Sequence, residues 1–85
     1  MKVLIPSALR SYTRRGSAEA QGATLAELLA DLDRRYPGIR FRIVDEQEQV
    51  RRHIRIFING EQEFRLSRAL KSSDEVIIAQ ALSGG

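Results

Sequence analysis

The chain has 85 residues, enough for one domain with one modest core. Its 42% hydrophobic and 29% charged content excludes a disordered chain, no apolar run approaches a membrane span, and the lack of cysteine excludes disulfides, thiolate metal sites and cysteine-based sulfur chemistry. The net charge of +3 comes from dispersed arginine pairs (Arg14-Arg15, Arg34-Arg35, Arg51-Arg52) separated by acidic residues, which disfavours nucleic acid as a primary partner.

Residues 2–5 (Lys-Val-Leu-Ile) read as a strand ended by Pro6. The run before Pro6 is too short for a signal peptide, so a cytoplasmic location is expected. Residues 7–16 are polar, carry arginines and Gly16, and read as a loop. Residues 17–21 read as a weak second strand before a turn at Gly22.

Thr24 opens the clearest element, because Thr24-x-x-Glu27 fits a capping box. Leu25, Leu28, Leu29, Leu32 and Tyr36 follow at helical spacing and form one apolar stripe. Asp31 lies off that stripe and is placed for an i,i+4 pair with Arg35. Pro37-Gly38 stops the helix. Residues 39–44 (Ile-Arg-Phe-Arg-Ile-Val) fit either a strand or a short helical turn that packs Phe41 and Val44.

Asp45 to Gln49 is a charged loop. Residues 53–58 read as a strand, and Asn59-Gly60 supplies the positive φ of a tight hairpin. Residues 62–65 are the return strand, with Glu61 and Glu63 on a solvated edge. Leu66 to Leu70 is a connector with two core anchors, Ser72 to Asp74 is a turn, and residues 75–79 form the last strand.

One helix across a mixed sheet satisfies this order: an α+β, β-grasp (ubiquitin-like) fold of four or five strands over residues 1–80, followed by a tail at 81–85. Val3, Ile5, Ile54, Ile56, Ile58, Val76 and Ile78 supply the face under the helix. Period-two alternation then sends Leu4, Phe57 and Ile77 to the opposite face, as an exposed apolar patch near the root of the tail.

The usual catalytic and metal-binding sets are missing from the pattern. His53 is the lone histidine and sits at a strand start. Asp45, Glu46 and Glu48 lack the spacing and glycine of a calcium loop. The glycines are dispersed and make no phosphate-cradling loop. What stands out is Gly84-Gly85, a segment without side chains that fits a narrow slot in another protein and presents a carboxylate as a chemical handle.

Several segments in order resemble the MoaD/ThiS family of ubiquitin-like sulfur carriers. They are Ile5-Pro6-x-x-Leu9-Arg10-x-Tyr12-Thr13, Thr24-Leu25, Tyr36-Pro37-Gly38-Ile39-Arg40, Ile56-Phe57-Ile58-Asn59-Gly60, Asp74-Glu75-Val76-x-Ile78 and Gly84-Gly85. The first and third resemble the CysO-like branch, which serves cysteine synthesis and, in QbsE-like relatives, sulfur-containing metabolites. The chain departs from the family where Ala79-Gln80-Ala81 replaces a common proline and Ser73-Asp74 replaces Gly-Asp.

The resemblance implies a protein co-substrate rather than an enzyme. An E1-like adenylating enzyme of the MoeB/ThiF type, holding ATP and Mg²⁺, would adenylate the Gly85 carboxylate, and a sulfur donor would convert it to a thiocarboxylate. Gly84 would let the chain enter that site, with Ala81, Leu82 and Ser83 read along the groove. Leu4, Phe57 and Ile77 would dock the partner, with Arg55 orienting it. A sulfur-acceptor enzyme and a JAMM-type metallopeptidase complete the implied partners. The alternatives are a ubiquitin-like modifier joined through Gly85 to lysines, and a β-grasp module binding RNA or protein.

Overall fold

The computed structural model describes residues 1–81. The expectations placed on Leu82, Ser83, Gly84 and Gly85 lie outside the described residues. In chain order the elements are β1 (Lys2–Leu4), a 3-10 turn (Ser7–Leu9), α1 (Arg10–Thr13), β2 (Ser17–Glu19), α2 (Leu25–Arg35), α3 (Ile39–Ile43), β3 (Ile54–Ile58), β4 (Glu61–Gln62) and β5 (Val76–Gln80). The strands form one five-stranded sheet in the order β2-β1-β5-β3-β4. β1 and β5 pair in parallel, and the β1–β2, β3–β5 and β3–β4 pairs are antiparallel.

Alternation decides which face of the sheet is buried. Val3, Ile54, Ile56, Ile58, Val76 and Ile78 all point inward and are buried. They form one cluster with Leu25, Leu28, Leu29 and Leu32 of α2 and with Ile39 and Ile43 of α3. A helix crossing a mixed sheet in this strand order is the β-grasp architecture expected from the sequence.

The start of α2 is closed on all sides. Thr24 Oγ1 accepts from the Glu27 amide at 3.2 Å, and Glu27 Oε1 accepts from the Ala23 amide at 3.2 Å, one residue before the partner of a standard capping box. The connector expected at Leu66 to Leu70 takes two further orphan amides. Leu25 donates to the Arg68 carbonyl at 2.9 Å and Ala26 to the Leu66 carbonyl at 2.8 Å. Leu66 and Leu70 pack on the core, as anchors should.

Several readings are corrected and one open choice is resolved. The return strand expected at residues 62–65 is the two-residue β4, Glu61–Gln62. Residues 7–16 are not a plain loop: a 3-10 turn and α1 bury Leu9 and Thr13, because one helical turn suffices to aim these two inward. The ambiguous segment at 39–44 is helical. Gly38, at φ 99°, starts it, and Ile39 and Ile43 share one buried side at i,i+4 spacing. Phe41 is therefore not core and stands 57% exposed.

Two further findings concern carboxylates. Asp31 makes the expected i,i+4 pair with Arg35 and is buried as well: its Oδ2 accepts from the Gln21 amide at 2.8 Å and from Arg35 Nε at 2.9 Å, and its Oδ1 accepts from Arg34. The Gln21 amide bond, with the two arginines, holds its pKa below the usual range against the opposing effect of burial. Glu63 is likewise buried rather than on a solvated edge. It accepts from the Phe64 and Arg65 amides at 3.0 and 3.1 Å and from Arg68 Nη1 at 2.9 Å. The Arg65 amide and then the Arg68 side chain lower its pKa from 4.5 to about 2.

A pKa depressed in the folded state stabilises the fold above the unfolded-state value and loses that contribution as pH falls. The Glu63 contribution is therefore complete above pH 4.5 and is lost as pH falls towards about 2. Glu63→Gln is expected to lower the melting temperature at neutral pH, with the gap to the native protein closing across that window. A gap that persists at pH 2 would show that packing, not charge, is what the substitution removes.

Candidate functional site

The sheet face opposite α2 carries the expected apolar patch. Leu4 pairs with Ile77 in the β1–β5 register, and Ile77 with Phe57 in the β5–β3 register. The three side chains thus form one row across three neighbouring strands, spanning about 10 Å at ordinary strand spacing. All three are half-buried. Ser17 and Gln62 extend the row at its polar ends through the β2 and β4 registers. An apolar row with polar ends is a shape that protein partners cover.

Along β5 the same face continues from Ile77 to Ala79, whose partner in β3 is Arg55. Arg55 is half-buried, and its Nη1 donates to the Arg52 carbonyl at 2.7 Å and the Ile54 carbonyl at 3.3 Å. Those bonds hold the guanidinium at the end of β3 that faces Gln80. Beyond Gln80, the Ala81 amide donates to the His53 carbonyl at 2.7 Å. The chain therefore stays laced to β3 up to Ala81, and the apolar row lies about 13 Å back from there along β5. The structure brings Leu4, Phe57, Ile77, Arg55 and Ala81 to one face of the sheet, with Arg55 and Ala81 at the tail end of β5 and the row of Leu4, Phe57 and Ile77 towards the opposite end rather than near the root of the tail as expected. Ala79 belongs to the same surface and was not singled out from sequence. The period-two pattern through Ile77 was the signal for it.

The far end of β5 is fixed by Asn59. Its Nδ2 donates to Asp74 Oδ1 at 2.9 Å, and its Oδ1 accepts from the Glu75 amide at 2.9 Å. Asn59 and Gly60 have φ of 53° and 85°, the two left-handed positions of the expected hairpin. The Asp74 pKa lies below its ordinary value, first through the Lys71 amide and then through Asn59. This clamp sets the register that places Ile77 beside Phe57.

The carboxylates of the charged loop serve the loop itself. Asp45 Oδ1 accepts from the Gln47 and Gln49 amides at 2.8 and 3.1 Å, and Glu48 pairs with Arg40. Among the described residues no group of three or more His, Cys, Asp or Glu side chains converges on a metal position, and no helix is long and apolar enough to cross a membrane.

Fold and surface together define a ubiquitin-like β-grasp protein. The family model described as the ThiS family matches residues 3–85. The chain is 34% identical to the sulfur carrier protein CysO of Mycobacterium tuberculosis, an alignment covering 98% of this chain and 96% of that one. It superposes with a TM-score of 0.89 on a chain of the BexX/CysO complex of Amycolatopsis orientalis, at 36% identity and covering 99% and 98% of the two chains. It is also similar to the small archaeal modifier protein 1 of Methanosarcina acetivorans, at a TM-score of 0.79, 30% identity and 99% and 94% coverage. The chain belongs to the ThiS family.

Proposed function

We propose that this protein is a sulfur carrier that works through the Gly85 carboxylate. The observation that carries the reading is the near-full-length similarity to CysO. In this reading a MoeB/ThiF-type enzyme supplies ATP and Mg²⁺. A Gly85 carboxylate oxygen attacks the α-phosphorus, pyrophosphate leaves, and an acyl-adenylate forms. A sulfide-level donor attacks the acyl carbon and AMP leaves, giving a thiocarboxylate. That anion donates its sulfur to an acceptor enzyme in the synthesis of cysteine or another sulfur metabolite, and a JAMM-type metallopeptidase frees the product where it stays attached to the tail. The chain contributes position rather than chemistry, and the partner supplies catalysis by proximity. Support for a partner also comes from the BexX/CysO complex, in which a similar chain is assembled with another protein.

The test is the intact mass of the chain before and after incubation with the activating enzyme, ATP and sulfide. Replacement of one oxygen by one sulfur, absent when Gly85 is deleted, supports the reading. No change, with an enzyme that loads another carrier under the same conditions, removes it.

In the same reading the row of Leu4, Phe57 and Ile77 docks the activating enzyme, with Arg55 orienting it. Phe57→Asp is expected to weaken that binding about tenfold or more, the scale of a central aromatic anchor. Its melting temperature should stay close to the native value, since Phe57 faces away from the core. A large fall in melting temperature would instead assign Phe57 to the packing of the sheet.

A second reading has its own observation. Similarity to small archaeal modifier protein 1 favours a ubiquitin-like modifier joined through Gly85 to lysines. Both readings share activation, and they part at the product. Higher-mass isopeptide conjugates in cell extract, absent without Gly85, would favour the modifier.

A further inference from the structure

The exposed Phe41 ring and the Arg51-Arg52 pair have no part in the reading above. Phe41 and Arg51 meet at a surface cleft of about 370 Å³, lined also by Arg42, Glu46, His53 and Gln80. Gln80 is the last residue of β5, so the cleft opens beside the root of the tail. It shares no residue with the row of Leu4, Phe57 and Ile77.

Two features make this cleft a recognition surface. The first is a rigid apolar anchor. The Arg51 guanidinium sits 4.5 Å from the Phe41 ring centroid, and Arg51 Nε donates to the Phe41 carbonyl at 2.6 Å. The Arg51 amide donates to the Ile43 carbonyl at 2.8 Å, which ties the stack to α3. A ring fixed in advance loses little entropy when a partner covers it. The second feature is one-sided charge. Arg42 and Arg51 line the cleft, the exposed Arg52 follows in sequence, and Glu46 is the lone acid in the wall. None of the three arginines makes an ion pair among the described residues. Guanidinium groups in that state favour carboxylates, which they bind in bidentate fashion.

We propose that this cleft docks an acidic segment with an apolar side chain, carried by the enzyme that handles the Gly85 carboxylate. Phe41 takes the apolar side chain, and Arg42 and Arg51 take the carboxylates. The identity of the partner rests on the sulfur-carrier reading, whereas the existence of the site does not. A free phosphate would engage the arginines and leave Phe41 unused, so the exposed ring favours a protein segment.

The experiment is an NMR titration of the ¹⁵N-labelled full chain with a pentapeptide of one central leucine flanked by aspartate and glutamate. Shifts are expected at Phe41, Arg42, Arg51 and Gln80. Affinity is expected to fall about tenfold in Arg42→Glu and in Phe41→Ser, each of which alters an exposed side chain. The lysine-flanked peptide should not bind. Absence of shifts overturns the proposal. So does an identical response to inorganic phosphate, which would define a small-anion site. So does a change at the same residues on removing 82–85, which would make the chain's own end the occupant.

A second arm tests the partner. Arg42→Glu is expected to raise KM for the carrier about tenfold at low salt with kcat little changed, and added salt should shrink the difference. An unchanged KM overturns the assignment of the partner. The peptide arm involves no sulfur transfer, so its outcome is separable from failure of Gly85 to load.

Discussion

Deleting Gly85 is expected to reduce thiocarboxylate formation by about a hundredfold or more, the loss that follows when a reacting group is misplaced. Deletion draws the terminal carboxylate back by one residue, about 3.5 Å of extended chain. Adenylation requires in-line approach of a carboxylate oxygen to phosphorus, so a displacement of that size removes the near-attack geometry. Gly85→Ala keeps the length and adds one methyl group beside the reacting carbonyl, and is expected to lose most of the loading as well. Neither change should alter the melting temperature, because the buried apolar residues of the described chain end at Ile78. Intact mass against time, with a thermal melt on the same samples, checks both halves. Loading of the deleted chain at the native rate would mean that the partner does not read the position of the carboxylate.

The two faces of the sheet were legible in the sequence because alternation is a strong signal. Ile54, Ile56 and Ile58 on one side and Phe57 on the other follow from period two alone, and the registers then bring Phe57, Ile77 and Leu4 into one row. The Asn59-Gly60 turn was legible for a different reason: few residue pairs accept two left-handed positions in succession.

The misread positions share a cause. Pattern reading assigns charged residues to solvent, yet Asp31 and Glu63 are buried because backbone amides and arginines satisfy their oxygens. Only the fold brings the Gln21 amide to Asp31, ten positions away. Residues 39–43 fit two periods at once, since Ile39 and Ile43 suit a strand face and a helical i,i+4 pair equally. Gly38 in the left-handed region resolves the choice and turns Phe41 outward. The basic cleft was invisible for the same reason, because its anchor was expected in the core.

Gly22 is the position where one methyl group should cost the most stability. A Cβ there would lie 2.3 Å from the Leu28 amide nitrogen and 2.8 Å from both Glu27 C and Leu28 Cα. These are backbone atoms of the first turn of α2, so no side-chain rotation relieves the contact. The helix start would have to move. It is held by the Arg68 and Leu66 carbonyls on Leu25 and Ala26, and by Leu28, which is fully buried. Gly22→Ala is therefore expected to cost about 3 kcal/mol, at the upper end for overpacking. For a domain of this size that lowers the melting temperature on the order of 15 °C. Two other glycines serve as controls with different physics. At Gly16 the added methyl meets the mobile end of Arg10 at 3.2 Å, so Gly16→Ala should stay within about 0.5 kcal/mol of the native protein. Gly60 has open space around it but a φ of 85°, so Gly60→Ala should cost about 1 kcal/mol through backbone strain alone. Urea unfolding of the three variants checks the order. A Gly22→Ala variant as stable as Gly16→Ala would mean that the loop before α2 gives way without disturbing the helix. In the sulfur-carrier reading, the Gly22→Ala chain should still accept sulfur below its melting temperature, because the clash lies at the start of α2 and the loading acts on Gly85.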